Sequence, residues 1–118
     1  MTFFTQEDLD TGSLAYMAPE CFINNKDYKV DGRIDVWASG VILYGMLHGS
    51  LPFKGGNNYE IIEAIKEGKF KVDPLIEKNI SEGCLEVLKL CLDPNPKSRV
   101  TMEELADHPW LYKNVFGV

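Results

Sequence analysis

Long apolar runs, paired cysteines and excess positive charge are all missing from this sequence of 118 residues. The longest uncharged, mainly apolar run is Val36 to Ser50. It falls short of the ~20 residues that a membrane-spanning helix needs, so no membrane role is expected. Cysteine occurs three times, as Cys21, Cys84 and Cys91. The count is odd, no C-x-x-C appears and no signal-peptide pattern precedes them, which fits a reducing, intracellular and cytoplasmic setting. Cys84 and Cys91 fall on one helical face, but His48 and His108 are not at zinc spacing, so no metal site is expected and buried free thiols are the plainer reading. Lys and Arg total 12 against 18 Asp and Glu, a net charge of -6. Phosphate backbones and anionic lipid would be repelled, so nucleic acid is excluded as an expected partner. There are no repeats, low-complexity tracts or linkers. The prior is one domain with an ordinary soluble composition, 45% hydrophobic and 25% charged.

Helical punctuation dominates what is present. Residues 1 to 11 are acidic, with no apolar period, and read as loop. Pro19 forces Ala18 out of the helical region, and a short helix is predicted from Glu20 to Ile23. Asn24 to Asp27 is turn-like. From Ile34 to His48, apolar residues occur on every face. Such a helix must be buried all round, and it is expected to be the centre of the fold. A buried strand at Val41 to Tyr44 is the rival reading, but the run is too long for one. Gly49 stops this helix. A second is predicted from Asn58 to Glu67, with Asn57 and Glu60 resembling a capping box and Gly68 as its stop. Ser81 starts a third, carrying Leu85, Leu88 and Leu92. Thr101 with Glu104 opens a fourth, short helix expected to end before Pro109, with Trp110 packed beneath. No strand alternation rises above noise, so the fold class is all-α.

Several fixed landmarks appear in order: Gly12-Ser13-Leu14-Ala15-Tyr16-Met17-Ala18-Pro19-Glu20, Asp35-x-Trp37-x-x-Gly40, Gly49 with Pro52-Phe53, Asp93-Pro94, Arg99 and His108-Pro109-Trp110. Each is weak alone. In this order they resemble the C-terminal part of the large lobe of a serine/threonine protein kinase catalytic domain, in forms similar to the calcium/calmodulin-dependent and AMP-activated kinases. The resemblance implies a partial kinase domain over residues 1–118, from the end of the activation segment through the last large-lobe helix, with the N-lobe and catalytic loop absent. It implies a buried ion pair between Glu20 and Arg99, where two unrelated surface charges would be the plainer reading. It makes Asp35 and Trp37 the anchor of the catalytic loop, although an Asp at a helix start is ordinarily a cap. Gly12, Ser13, Leu14, Tyr16 and Met17 would form the substrate-binding loop. Ser13 would then mark Ser/Thr specificity, Leu14 and Met17 would line an apolar pocket, and Tyr16 would buttress it. A Gly-Ser turn beside core residues remains compatible with that role.

The chain also departs from the family pattern. Leu9 stands at the usual activating phosphosite, flanked by Glu7, Asp8 and Asp10; Thr5 and Thr11 are the remaining candidates. Gly45 stands where kinases that prefer basic substrates often carry Glu. Glu60, Glu63 and Glu67 are either an acidic docking face or a solvated one. Phosphoryl transfer needs phosphate positioning, metal charge and an aligned nucleophile. No Gly-x-Gly-x-x-Gly, His-Arg-Asp or Asp-Phe-Gly supplies them. Asp31-Gly32-Arg33 is no substitute, and Glu63-Ala64-Ile65-Lys66 only echoes an ATP-binding lysine motif. The family reaction is ATP γ-phosphate transfer to protein Ser or Thr, with ATP and Mg as cofactors of the full-length domain. This chain alone is expected to bind neither and to be inactive. The alternative is a naturally truncated module that binds a substrate or partner without catalysis. The expected partner is a protein Ser/Thr segment, with self-association through apolar surface that the full domain would cover.

Overall fold

A computed structural model describes residues 13–23 and 30–115. The acidic N-terminal stretch, including Leu9 and Gly12, and the Asn24–Asp27 turn lie outside the described residues. The described residues are all helical and form no strand. Two 3₁₀ turns, Ser13–Tyr16 and Pro19–Phe22, precede helices α1 (Arg33–His48), α2 (Asn58–Glu67), α3 (Pro74–Asn79), α4 (Glu82–Cys91), α5 (Met102–Ala106) and α6 (Pro109–Val115).

Local sequence sets most of these boundaries. Asn57, Ser81 and Thr101 accept the backbone N–H of Glu60, Cys84 and Glu104 at 2.9, 3.1 and 3.2 Å, each satisfying an orphan donor of the first turn. Thr101 and Glu104 make the full reciprocal capping box. The two bonds from Thr101, backbone first and hydroxyl second, hold the Glu104 carboxyl below its ordinary range. Asn57 makes only half a box, because the Glu60 carboxylate reaches past it to the amide of Gly56 at 3.4 Å. Gly49 and Gly68 end α1 and α2 at φ 70°, which a side chain would resist.

The short helix expected from Glu20 to Ile23 is a 3₁₀ helix, Pro19–Phe22. Helix α3 was not foreseen; Asp73 caps it by accepting the Leu75 amide at 2.8 Å, and Pro74 fits its first turn. Trp110 packs on the cluster that holds Leu105 of α5, as expected, but it does so from within a further helix, α6. There His108 acts as the cap, its Nδ1 accepting the Trp110 amide at 3.1 Å. The His108-Pro109-Trp110 landmark is therefore a helix start, with a side-chain acceptor followed by a proline where no N–H is needed.

Helix α1 lies at the centre and packs against α4 and the first 3₁₀ turn, and more lightly against α5. Trp37, Val41 and Tyr44 share a core with Ala18, Phe53, Ile65, Leu88 and Leu92. Val36 packs on the opposite side with Val87, Cys91 and Leu105. The helix is not buried all round: Ile42 and Met46 are 52% and 74% exposed. Cys84 and Cys91 are buried free thiols, and burial pushes Cys91 up to about 12 despite the opposing pull of the Arg99 charge. Neither is a nucleophile at neutral pH.

The closest approach of α1 and α4 is at Gly40. A Cβ there would sit 2.6 Å from Cys91 Cβ and 3.0 Å from the Leu92 side chain. At Gly45, one face round the same helix, a Cβ would meet nothing within 4 Å. Alanine gains up to about 1 kcal/mol over glycine in a helix interior, while overpacking a tight core costs about 1–3 kcal/mol. Gly45→Ala should therefore raise the urea midpoint and Gly40→Ala should lower it. Equal shifts in the two variants would mean the α1–α4 contact is not tight.

Candidate functional site

The site begins at the two 3₁₀ turns. Pro19 holds Ala18 extended, at φ -72° and ψ 155°. The amides of Met17 and Cys21 close the turns on the carbonyls of Leu14 and Ala18, at 3.1 and 3.0 Å. Both turns pack on α2. Leu14 and Ala15 are buried, Met17 is half-buried and Tyr16 is 41% exposed. Among Leu14, Tyr16 and Met17 of the expected substrate loop, Tyr16 offers the most open surface and Leu14 faces inward. Ser13 opens the first turn, and Gly12 precedes the described residues.

Glu20 and Arg99 meet 79 residues apart in sequence. Arg99 Nη1 donates to Glu20 Oε2 at 2.7 Å and Nη2 to Oε1 at 2.8 Å, a two-pronged grip between side chains 0% and 4% exposed. Arg99 Nε donates to the Asp93 carbonyl at 2.9 Å, and Nη1 also to the Arg33 carbonyl at 3.0 Å. Four of the five guanidinium N–H groups are thereby satisfied. The guanidinium carbon lies 5.1 Å from the Trp37 ring centroid, and Trp37 stacks on Phe53 at 5.3 Å. Both charges of the buried pair thus face each other, with further hydrogen bonds to most of the guanidinium, as burial demands.

The loop carrying Arg99 is built in advance of it. Asp93 accepts the Asn95 amide at 3.0 Å and the Ser98 hydroxyl at 2.8 Å, and Asn95 accepts the Lys97 amide at 2.9 Å. These are turns made by short polar side chains, as the Asp93-Pro94-Asn95-Pro96 composition favours. On the other side, Arg33 Nε donates to the Arg99 carbonyl at 2.9 Å, so the two arginines bond to each other's backbones. Asp31 orients Arg33 through its amide and its guanidinium, both at 2.9 Å. Sequence reasoning missed Arg33: its contact spans 66 residues and no local pattern marks it. Asp93 and Asn95 did carry a readable turn signal.

Asp35 is exposed in the first turn of α1, and its carbonyl accepts the Ser39 hydroxyl at 2.9 Å. Trp37 is fully buried, and its Nε1–H has no acceptor among the described residues. Asp35 and Trp37 are two residues apart on α1, about half a turn, and only Trp37 touches the ion pair. No group of three or more His, Cys, Asp or Glu side chains among the described residues is placed to hold a metal. Asp31, in the Asp31-Gly32-Arg33 segment, has both carboxylate oxygens on Arg33. Lys66 pairs with Glu63 at 3.7 Å on the open face of α2. Neither arrangement fits a nucleotide phosphate or its metal.

The protein kinase domain family matches residues 5–111, and the chain belongs to that family. It is 35% identical over 105 residues to the serine/threonine-protein kinase cds1 of Schizosaccharomyces pombe, covering 86% of this chain and 23% of that protein. It is 39% identical over 100 residues to the serine/threonine-protein kinase PEPKR2 of Arabidopsis thaliana, 85% of this chain and 20% of that one. To calcium-dependent protein kinase 21 of Oryza sativa it is 40% identical over 102 residues, 85% and 17% of the two chains. The chain thus spans about a fifth of the length of these relatives, in the C-terminal part of the kinase domain.

Removing one partner of a buried pair leaves the other charge stranded, at a cost of about 3–5 kcal/mol. Glu20→Ala should lose about that much stability in urea denaturation. Glu20→Ala combined with Arg99→Met should cost clearly less than the sum of the two single changes, because no charge is then left alone. Strict additivity would mean the two side chains do not interact.

Proposed function

We propose that this chain is the substrate-side portion of a serine/threonine protein kinase catalytic domain, and that these residues position a protein segment without themselves moving the phosphoryl group. The observation that carries the reading is the buried, two-pronged Glu20–Arg99 pair, which fastens the 3₁₀ turns to the helical base. A turn held by buried charge on one side and by α2 on the other is a rigid platform for an extended peptide. Gly12, Ser13, Leu14, Tyr16 and Met17 are assigned to that platform. Asp35 and Trp37 are assigned to anchoring the catalytic loop of the complete domain, which the exposed Asp35 carboxylate and the Trp37 N–H support. In the complete domain, ATP with Mg²⁺ would donate the γ-phosphoryl group to the substrate hydroxyl. The alternative reading, a non-catalytic module that binds a substrate or partner, shares this platform.

One experiment with two arms separates these readings. The 118-residue chain alone should give no Mg-ATP binding heat and no phosphate incorporation into Ser/Thr peptides. The same residues grafted in place of the matching segment of the S. pombe relative should give a folded chimera that phosphorylates such peptides. Activity of the isolated chain would refute the division of labour; a folded but inactive chimera would favour the non-catalytic module.

The exposed Ile42 and Met46 on α1 support a further expectation. Light scattering on the isolated chain should show self-association that rises with concentration and falls in Ile42→Ser/Met46→Ser. A clean monomer at high concentration would remove it.

A further inference from the structure

Beside the buried Glu20–Arg99 pair stands a third charged side chain, Arg33, 28% exposed where theirs are 4% and 0%. Its guanidinium does two things with different atoms. Nε donates to the Arg99 carbonyl at 2.9 Å, and Nη1 donates to the Asp31 carboxylate at 2.9 Å. The same carboxylate takes the Arg33 amide at 2.9 Å, so one acceptor holds both the backbone and the side chain of Arg33. Serving two partners at once needs a rigid, planar fork. A lysine ammonium is a point charge on a flexible stem. It can stay beside Asp31, but it has no N–H where Arg33 Nε meets the carbonyl.

The Nε bond closes a frame around Arg99. The Arg99 amide already donates to the Asn95 carbonyl at 2.9 Å. With amide and carbonyl both held, the Arg99 side chain leaves its backbone in a fixed direction. A return bond completes the link. Arg99 Nη1 donates to Glu20 Oε2 at 2.7 Å and to the Arg33 carbonyl at 3.0 Å. One nitrogen therefore joins the start of α1 to the second 3₁₀ turn, which carries Glu20. A loosened Arg33 frees the Arg99 backbone and shifts the partner of that nitrogen, and both changes reach Glu20.

We propose that Arg33 is a positioning residue of the substrate platform, holding the two 3₁₀ turns in place through Arg99. What the turns hold rests on the function proposed above. The coupling does not, because it is measured with no peptide or nucleotide present. The test is amide hydrogen exchange by NMR on the ¹⁵N-labelled 118-residue chain. Arg33→Lys keeps the charge at a partly exposed position and so keeps the fold. It should speed exchange of the Met17 and Cys21 amides, which close the two turns, by about five-fold, the worth of one hydrogen bond. The Gly49 and Ile80 amides, which end α1 and α3, open without disturbing Arg33 and should not change. Asp31→Asn, at a side chain 47% exposed, should give the same pattern at smaller size, because it frees the guanidinium but leaves the Nε bond. In a Glu20→Ala/Arg99→Met background the clamp is gone, and Arg33→Lys should add nothing at Met17 and Cys21. Unchanged exchange at Met17 and Cys21, or equal acceleration at Gly49 and Ile80, would overturn the proposal. The same acceleration with the clamp removed would make Arg33 merely structural and overturn it too.

Discussion

The bidentate bond between Glu20 and Arg99 is the constraint on which the rest of this structure depends. The two turns near the start of the described chain bury Leu14, Ala15, Ala18 and Pro19 and pack Cys21 and Phe22 on the core. Two short 3₁₀ turns have poor internal hydrogen bonding and would not persist alone. The ion pair gives them a fixed address on the helical base. In return, the base supplies further partners for the buried guanidinium, the carbonyls of Asp93 and Arg33 and the face of Trp37. A buried pair with fewer partners would cost more in desolvation than its attraction returns.

This requirement explains features that look unrelated along the sequence. The loop from Asp93 to Arg99 contains two prolines and two side-chain-capped turns because its carbonyl at Asp93 must point at Arg99 Nε. Asp31 precedes α1 and Arg33 opens it, where together they fix the backbone of Arg99. Gly40 lets α4 approach α1 closely, and α4 leads directly into the arginine loop. Trp37 serves both sides, stacking on Phe53 in the apolar core and presenting its ring to the guanidinium. The same indole therefore links hydrophobic packing to the polar clamp.

Membership of the protein kinase family and an all-helical architecture follow from landmarks that can be read in order along the chain. The reason is that several of these landmarks are local devices with a local physical purpose. Pro19 sets an extended Ala18; His108 and Pro109 start a helix; Asp93 and Asn95 make turns. Where the purpose is not local, reading failed. The apolar period of α1 predicted burial on every side, yet Ile42 and Met46 face outward. Periodicity reports which residues are apolar but not which face has a neighbour. Trp110 was legible as a core residue but not as a helical one, because its cap is a histidine side chain rather than a Ser, Thr, Asp or Asn.

By itself the sequence determined the ends of α1, α2, α4 and α5 closely, that Cys84 and Cys91 are core thiols, and which family the chain belongs to. These outcomes rest on caps, glycines, prolines and apolar spacing, whose energies act within a few residues. Only the tertiary structure decided that Arg99 has partners at Glu20, Arg33, Asp93 and Trp37 together, and that Leu14 turns inward while Tyr16 stays open. Those facts depend on contacts that close loops of up to 79 residues. Such contacts are chosen by the packing of the whole chain, and no short stretch of sequence encodes them.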